Sequence, residues 1–506
     1  MRNFFVAFGA LVNAGLFLQC TSIPDCPNCT LYAEEAGSDV VPPPVGCDIN
    51  VEPKDAPLCV DESYAVFVDS NNGDDTASGT KAFPVKTITH AVTLLGNKPR
   101  IYICGAGILN EHVELMSAIS LYGGFDCTSW EYNGKKATVQ SDTSAPALKL
   151  TRLPGPITVS DLGFEAQPGS PEALSSIAVF TLNSTVTFTR TELVAHVAAG
   201  GGSGQDGKTG SQTVTSVGNM NAAQKTAGPG MICTCSTGGS TTTATGGNGG
   251  SANSNGQPGT SVPSVPNPTA PDDGAGGSGG TRDCNNSGNG HNGAAAPVGA
   301  KGDAVTTLGT LAPAGWLPSD GNAGKDGGPG QGGGGGGSND GGPGGGGGCG
   351  GCGGTGGGGG QAGGSSVALL SYQSTVTLNS CQLLTDQAGD GGQGGTSGNN
   401  TDGASGGNGY NSGGGTTSPG CSGGKGGAGG AGGGGSGGAG GISAGILYAG
   451  GQPTVDSGST LTSTAADAAA GGIGGVPGQA PEGNDGPSGV VGKLVSADNG
   501  TVAVIE

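Results

Sequence analysis

The chain has 506 residues, of which 115 are glycine, and its 38 acidic and 18 basic side chains give a formal charge of −20. Glycine is normally about 7% of a protein, and no phenylalanine follows Phe188, so the later part of the chain cannot bury a conventional aromatic core. The scattered cations exclude the basic stripe of a nucleic-acid-binding protein and disfavour binding to an anionic membrane surface.

The N-terminus has the layout of an export signal. Residues 1–20 contain one cation, Arg2, followed by an apolar run that ends at Cys20. The run is too short to cross a bilayer comfortably but suits a secretory signal peptide. We expect export with Cys20 as a lipoprotein acylation site. The residues before Cys20 are not the small ones that such sites prefer, so plain cleavage nearby is the alternative.

The other cysteines predict disulfide bonds, which persist in the environment of an exported chain. If Cys20 is acylated, 13 of the 14 cysteines remain, so at least one is free or pairs between chains. Two groups hold most candidates: Cys26, Cys29, Cys47 and Cys59 in an acidic, Pro-rich segment, and Cys233, Cys235, Cys349 and Cys352 in glycine-rich sequence. The second group offers four thiolates, but its C-x-C pair is spaced too tightly for zinc. We therefore expect disulfides there and no metal.

Secondary structure is predicted to start with a strand at 64–68. Residues 87–95 carry apolar residues at helical spacing between Pro84 and Gly96, which predicts a short capping helix, and 100–104 alternates as a strand. Strand-like runs bounded by turn residues follow at 111–115, 119–123, 137–139, 147–150, 157–159, 162–166, 176–182, 184–188 and 192–197, and later at 490–495 and 501–505.

A repeat organises the chain. Residues 176–198 align without a gap on 366–388, at an offset of 190, and a looser third copy runs over 443–468. Each copy is roughly 24 residues long with three short strands, the size of one solenoid coil. Each copy is followed by a glycine-rich tract. We interpret the chain as an all-β, right-handed parallel β-helix whose long insertions leave from one corner, where loop-closure entropy grows only slowly with length.

This interpretation divides the chain into seven parts. They are a signal peptide at 1–20, a Cys/Pro-rich tether at 21–62, the capping helix and N-terminal coils at 63–198, glycine-rich insertions at 199–364 and 389–441, a coil at 365–388, and C-terminal coils at 442–506 with a short glycine-rich loop at 471–489. Cys104 and Cys127 are 23 residues apart, close to one coil. Strands on successive coils lie about 4.8 Å apart, which suits the Cα separation of a disulfide, so we expect a bridge rather than two buried thiols.

Three segments carry a family resemblance. GDDTASGTKAFPVKTITHA (73–91), RIYIC (100–104) and SLYGGFDC (120–127) resemble the cap and first coils of pectin-lyase-like right-handed parallel β-helix proteins. The chain is most similar to a group of exported Gram-negative lipoproteins with glycine-rich, PGRS-type insertions, and GCDINVEPKDAPLCV (46–60) is similar to the cysteine-bearing leader of that group. The resemblance implies the fold over roughly residues 46–200. It implies no activity, because most members have none established and fold alone does not give function.

Catalytic carboxylates are not evident on the predicted coils. Cleavage of polysaccharide needs two carboxylates at the scissile bond, or a cation set against the α-proton of an acidic sugar. Asp161, Glu165, Glu192 and Asp386 are expected to be isolated, and Arg190 near Glu192 is interpreted as a solvated salt bridge. We expect no catalytic residue and no cofactor.

An acidic loop precedes the capping helix. Asp69, Asn71, Asp74 and Asp75 offer oxygen ligands of the kind that calcium prefers, but the loop lacks the closing Glu of an EF-hand. We therefore interpret it as a solvated turn.

The glycine tracts leave two structures open. From 389 to 441, 28 of 53 residues are glycine. Such sequence is either disordered, because it buries too little apolar surface, or forms extended polyproline-II-like segments that pack side by side. Composition does not decide between these states.

The expected function is structural or adhesive. We expect a non-enzymatic lipoprotein of the outer membrane or cell surface, or a secreted protein, that presents glycine-rich loops to extracellular polysaccharide or matrix. The alternative is a polysaccharide-binding or polysaccharide-cleaving β-helix enzyme. A third hypothesis is binding to ice or surface water, for which Thr185, Thr187 and Thr189 form the one threonine row on a predicted strand.

Overall fold

The computed structural model describes residues 41–216, 219–237, 240–262, 273–277, 279, 284–340, 342–411, 418–476 and 480–506. These residues are nearly all β. The predicted capping helix is confirmed as α1 (Ile88–Leu94), and Pro57–Cys59 forms a 3-10 turn. The predictions on the signal peptide, Cys20, Cys26 and Cys29 fall outside the described residues.

Three sheets hold most of the strands, and every pairing in them except the last is parallel. Sheet one consists, in spatial order, of β1 (Ala65–Asp69), β2 (Arg100–Cys104), β5 (Ser120–Phe125), β8 (Ile157–Ser160), β11 (Thr185–Thr189), β20 (Thr375–Asn379) and β23 (Thr454–Val455). Sheet two consists of β3 (Ile108–Asn110), β6 (Ala137–Gln140), β9 (Leu162–Glu165), β12 (Glu192–Val194), β21 (Gln382–Thr385) and β24 (Thr460–Ser463). Sheet three consists of β4 (Val113–Leu115), β7 (Leu148–Thr151), β10 (Ser176–Leu182), β19 (Ser366–Tyr372), β22 (Ile442–Ala449), β25 (Val490–Asp498) and the antiparallel β26 (Thr501–Val504).

The chain visits these sheets in a fixed cycle. From β2 onward a strand of sheet one is followed by one of sheet two and then by one of sheet three, and each new strand pairs beside its predecessor in the same sheet. The predicted repeat is confirmed by the register, because Ser176 pairs with Ser366, and β11 with β20 and β12 with β21 pair at the same offset of 190. The third copy pairs through Ser443 with Ser366.

The core is built from columns of register partners. Inward positions stack Leu121, Val159, Phe188 and Leu378 in sheet one, and Val139, Phe164, Leu193 and Leu383 in sheet two, all fully buried. Outward positions alternate with them, as in Thr185 and Thr187 on either side of Val186. Full burial of such a side chain stabilises the fold by about 1.5–3 kcal/mol, so stacking supplies a core with few aromatic residues.

Helix α1 covers one end of this core. Ile88, Ala91 and Leu95 are buried against the first strands. The Thr87 hydroxyl accepts a hydrogen bond from the His90 N–H as the N-cap. Glu111, which is itself buried, accepts three further hydrogen bonds from the first turn, so a side chain of the coils fixes the helix in place.

Left-handed residues turn the chain at two corners. Asp161, Arg190 and Ser380 have φ of 55°, 52° and 54° where sheet one gives way to sheet two. Arg152, Asn183, Gln373 and Gly450 have φ of 48°, 45°, 49° and 97° where sheet three gives way to sheet one. At both corners the backbone N–H of one coil donates to the next, as from Asn183 to Tyr372. These bonds hold a strained backbone conformation that residues other than glycine rarely adopt.

The glycine-rich insertions interrupt the third corner. Each leaves after a strand of sheet two (β12, β21 or β24) and returns into a strand of sheet three (β19, β22 or β25). The first insertion also contains strands that the sequence analysis did not foresee. These are the antiparallel sheet of β13 (Ser211–Ser216), β14 (Ile232–Thr237), β15 (Ser240–Thr245) and β16 (Thr260–Val262), and the hairpin of β17 (Gly309–Ala312) and β18 (Gly315–Pro318).

The described end of the expected tether, 41–62, lies against the coils. The Tyr102 hydroxyl donates to the Cys59 carbonyl at 2.7 Å, and Arg190 contacts Glu52 at 2.6 Å. A disulfide between Cys47 and Cys59 closes the loop between these contacts. This part of the chain is therefore folded onto the sheets rather than extended away from them.

Candidate functional site

The described glycine-rich tracts are packed, which resolves the choice between disorder and packing for these residues. Their extended segments 199–210, 290–302, 319–337, 343–364, 389–410 and 420–441 are joined by backbone hydrogen bonds, and we call them the polyglycine bundle. Every third N–H from Gly389 to Tyr410 donates to carbonyls descending from Gly364 to Pro343, and every third N–H from Gly345 to Gly363 donates to carbonyls ascending from Cys421 to Ala439. A period of three is that of the polyproline-II helix.

Glycine is required where two segments meet. A Cβ on Gly350 would lie 1.9 Å from the carbonyl oxygen of Gly330, and one on Gly351 would lie 2.0 Å from that of Thr401. Both distances are far below van der Waals contact. Since three residues make one turn, each segment presents three faces, and 343–364 keeps its larger side chains on one of them: Cys349, Cys352, Thr355 and Gln361.

Two disulfides join β14 to the face of segment 343–364 that carries these larger side chains. Cys233 pairs with Cys349 and Cys235 with Cys352. Side chains recur on one face of a strand every two residues, about 6.7 Å, and on a polyproline-II segment every three residues, about 9.3 Å. The C-x-C spacing, which is too tight for zinc, therefore puts Cys233 and Cys235 on one face of the strand. The C-x-x-C spacing puts Cys349 and Cys352 on one face of the extended glycine segment, so two disulfides can bridge the two elements side by side. All four sulfur atoms are in disulfides and offer no thiolate to a metal.

The remaining described cysteines are also placed. Cys104 bonds to Cys127, as expected for successive coils, Cys47 bonds to Cys59, and Cys284 bonds to Cys421, a pair that the sequence analysis did not propose. The Asp69 carboxylate and the sulfur atoms of Cys104 and Cys127 lie within 4.8 Å of one another, the one cluster of this type among the described residues, but the two sulfur atoms are bonded to each other.

Cys381 is the free cysteine of the described residues, and it is buried. Its thiol donates to the Phe188 carbonyl and accepts a hydrogen bond from the Thr191 hydroxyl. The sequence around Cys381 does not predict these two hydrogen bonds, because Phe188 and Thr191 belong to the preceding coil.

Asp161, Glu165 and Asp386 are not isolated as expected, because each of these coil carboxylates has a side-chain or backbone partner. Arg190 makes two hydrogen bonds to Asp161, at 2.9 and 2.7 Å, and one to Glu52, and does not pair with Glu192. The bonds to Asp161 are the largest cause that raises the pKa of Arg190. Tyr132 donates to the same Asp161, and desolvation raises the pKa of its phenol. Asp161 therefore accepts three side-chain hydrogen bonds, one from Tyr132 and two from Arg190, which occupy three of the about four acceptor positions of a carboxylate.

Another coil carboxylate, Glu165, lies 2.7 Å from the His196 ring nitrogen. The pair joins neighbouring coils at the outer face of sheet two. Glu165 is thus paired with an imidazole and not with a second carboxylate, as glycoside cleavage would need.

The aspartates of the acidic loop before α1 accept hydrogen bonds from backbone N–H groups. Asp69 accepts from the N–H groups of Asn71 and Asn72, and Asp74 accepts from Thr76. Asp75 accepts from Lys86 and Thr87 across the loop. The carboxylates thus accept from backbone N–H groups of the loop; Asp74 is exposed, as expected for a solvated turn, whereas Asp69 is buried.

Two shallow clefts follow the corner between sheets three and one. The first, about 410 Å³, lies between 153–156 and the side chains of Asn183, Thr185 and Gln373. The second, about 400 Å³, shares Gln373 and is lined by Tyr372 and Asp498. Amide and hydroxyl groups dominate both clefts, and Asp498 is the one carboxylate among their lining residues.

No helix in the described part of the chain has the length and apolarity needed to cross a bilayer. Comparison with known proteins adds no relative, because no family model, curated protein or solved structure matches the chain.

Proposed function

We propose that the chain is a non-enzymatic, exported structural or adhesive protein. In this proposal the three sheets are the faces of a right-handed parallel β-helix of the pectin-lyase-like type, and the polyglycine bundle is the element that it presents to extracellular polysaccharide or matrix. The fixed cycle through three sheets, with in-register columns from coil to coil, supports the β-helix.

The observation that carries the presentation role is the register shared by coils and bundle. The offset of 190 that pairs β10 with β19 also brings Thr396 onto Asp206, whose carboxylate accepts from its backbone N–H at 2.8 Å. The bundle is thus continuous with the coils. A rigid surface loses less conformational entropy on binding than a disordered loop does.

Attachment of the full chain to cells and to immobilised glycans tests this proposal. Gly351→Val should abolish attachment, because its side chain would enter the Thr401 backbone, whereas Gly328→Ala should retain it, because its Cβ would lie 3.6 Å from Ala296. Equal attachment by both variants would refute the presentation role. Release of new sugar ends from any glycan by the wild type would refute the non-enzymatic part.

Membrane attachment is proposed through Cys20 alone. The export signal read from residues 1–20, which ends at Cys20, supports a lipid on this cysteine. Mass spectrometry of the N-terminal peptide should show an acylated Cys20, and Cys20→Ser should release the chain from the membrane fraction. An unmodified Cys20 at the mature N-terminus would leave a secreted protein.

Polysaccharide binding at the corner clefts is the second candidate. It is supported by the amides and hydroxyls that line each cleft, by Gln373, which lines both, and by Tyr372 in the second cleft. One carboxylate in the clefts does not supply the pair needed for hydrolysis, so binding is favoured over cleavage. Tyr372→Ala should weaken retention on a glycan array, with Thr460→Ala on sheet two as a control.

A further inference from the structure

The triplet Asn-x-Thr occurs three times among the described residues. Asn183, Asn399 and Asn499 begin these triplets, and all three are exposed. Asn-x-Ser/Thr is the acceptor sequence for attachment of a sugar to the asparagine amide. A pattern of three residues also arises by chance, so the structural setting of each asparagine decides whether it can be an acceptor.

Asn183 is exposed at a surface corner, the kind of position expected of such an acceptor. It occupies the left-handed corner between β10 and β11 with φ of 45°. Its backbone N–H donates to Tyr372 on the next coil, while its side-chain amide makes no hydrogen bond within the described residues. Ser184 is buried and its hydroxyl donates to the Leu182 carbonyl, and Thr185 is exposed. The coil therefore fixes the backbone and leaves the amide and the Thr185 hydroxyl unengaged on the surface.

A cleft adjoins this amide. Residues 153–156 form one wall, with Pro154 and Pro156, and Gln373 stands on the opposite side. Its volume of about 410 Å³ is within the range of small-molecule sites, which begins at about 300 Å³. A sugar ring joined to Asn183 has room there against the proline rings.

We propose that Asn183 carries an N-linked glycan. The donor is a sugar bound through its anomeric carbon to a phosphate leaving group. The Asn183 amide nitrogen forms the new bond to that carbon, the carbon–oxygen bond to phosphate breaks, the phosphate leaves with the electron pair, and the amide proton passes to a base of the transferase. No oxidant or reductant is required.

The chain contains a matched control for this site. Gln373-Ser374-Thr375 lies at the same corner one coil later, with φ of 49° at Gln373 and a Ser374 hydroxyl that donates to the preceding Tyr372 carbonyl. The exposure pattern of the two triplets is the same. They differ in the first residue by one methylene, and glutamine is not an acceptor in the glycosylation triplet.

Peptide mapping of the full chain purified from the cells that produce it tests the proposal. The peptide with Asn183 should carry a mass increase that peptide-N-glycosidase removes while converting Asn183 to Asp. Complete recovery of the unmodified peptide overturns the proposal, and it leaves the adhesion result of the same wild-type preparation unaffected. The inference rests on the proposed export, because such acceptors lie in secreted proteins, but its failure and the failure of the adhesive role are told apart by these two readouts.

Three variants sharpen the test. Asn183→Gln should remove the glycan from this peptide, and Thr185→Ala should remove it while leaving the asparagine in place. Gln373→Asn should create a second glycosylated peptide. Glycan retained in Thr185→Ala, or absent at position 373 in Gln373→Asn when Asn183 is modified, would contradict the geometric argument.

Discussion

Two neighbouring glycines of the polyglycine bundle are expected to respond oppositely to the same substitution. A Cβ on Gly327 would lie 2.0 Å from the Gly430 carbonyl oxygen, whereas one on Gly328 would lie 3.6 Å from the Ala296 Cβ. Neither residue has a positive φ, so alanine is compatible with the backbone at both positions. The difference between the two variants therefore isolates close approach between segments from the general cost of replacing glycine.

The free-energy cost of Gly327→Ala follows from the groups that the added methyl would meet. To accept a methyl group in place of the Gly327 hydrogen, segments 319–337 and 420–441 must part by more than an ångström, which strains the packing by about 1–3 kcal/mol. The hydrogen bond from the Gly430 N–H to the Gly328 carbonyl lies at this contact and contributes about 1 kcal/mol. Gly327→Ala should cost about 2–4 kcal/mol in total. Gly328→Ala should stabilise by about 0.4–1 kcal/mol, because alanine lowers the entropy of the unfolded chain.

Urea unfolding and hydrogen exchange check this pair. Gly327→Ala should lower the midpoint of the transition that includes the bundle and should speed amide exchange over 321–337, and Gly328→Ala should do neither. The backbone-contact argument is wrong if both variants exchange like the wild type, or if both are equally destabilised.

Four further outcomes are expected. Glu111→Gln should lower the free energy of unfolding by about 1–3 kcal/mol, since it removes the carboxylate that accepts from α1, and thermal melts measure this. Cys349→Ser should cost about 2–5 kcal/mol in urea unfolding by opening a disulfide. Cys381 should be alkylated only after denaturation, as read by peptide mapping, because it is buried and free; labelling of the native protein would contradict this. The hydrogen bond from Lys149 lowers the pKa of Glu114, so its stabilisation is complete above the unfolded pKa of about 4.3 and is lost as pH falls through the lower folded pKa; Glu114→Gln should flatten this acid limb of stability.

Much of the sheet structure could be predicted from the sequence. The repeat at offset 190 gives the pairing of Ser176 with Ser366 because coil stacking puts equivalent residues of successive coils beside each other. Strand β3 was missed because its sequence, Ile108-Leu109-Asn110, places two apolar residues side by side although only Leu109 is buried. Periodicity requires more residues than so short a strand contains.

Contacts between coils were predicted wrongly where partners were chosen by proximity in sequence rather than by coil register. Arg190 and Glu192 are two residues apart, but Arg190 occupies the corner with φ of 52°, whereas Glu192 is the first residue of β12. Asp161 is the corner residue of the preceding coil, and Arg190 reaches it directly. The same coil register that predicts the strands would have identified this pair, because Glu192 lies opposite Gly163 and hence Arg190 lies opposite Asp161.

Order in the glycine tracts could not be read from composition. Their stabilising interactions are backbone hydrogen bonds, which leave no hydrophobic periodicity in the sequence. One signal was present, however. Cys349, Cys352, Thr355 and Gln361 are separated by multiples of three in otherwise glycine-rich sequence, which is the pattern of a polyproline-II segment with one open face. Reading a period of three beside the usual periods of 2.0 and 3.6 would have favoured packing.

The coils explain why the bundle can order although its segments bury little apolar surface. Closing an extended segment against a distant one costs conformational entropy. Here β12 and β21 are already paired, so the tracts that follow them start as neighbours on successive coils, and Gly201 donates to Asp390 a few residues later. Each later bond in the period-three series, as from Gly204 to Gln393, extends an alignment already fixed by the coils. The same tracts without the coils should lack this alignment, so the bundle's order is a property of the stacked sheets as much as of glycine.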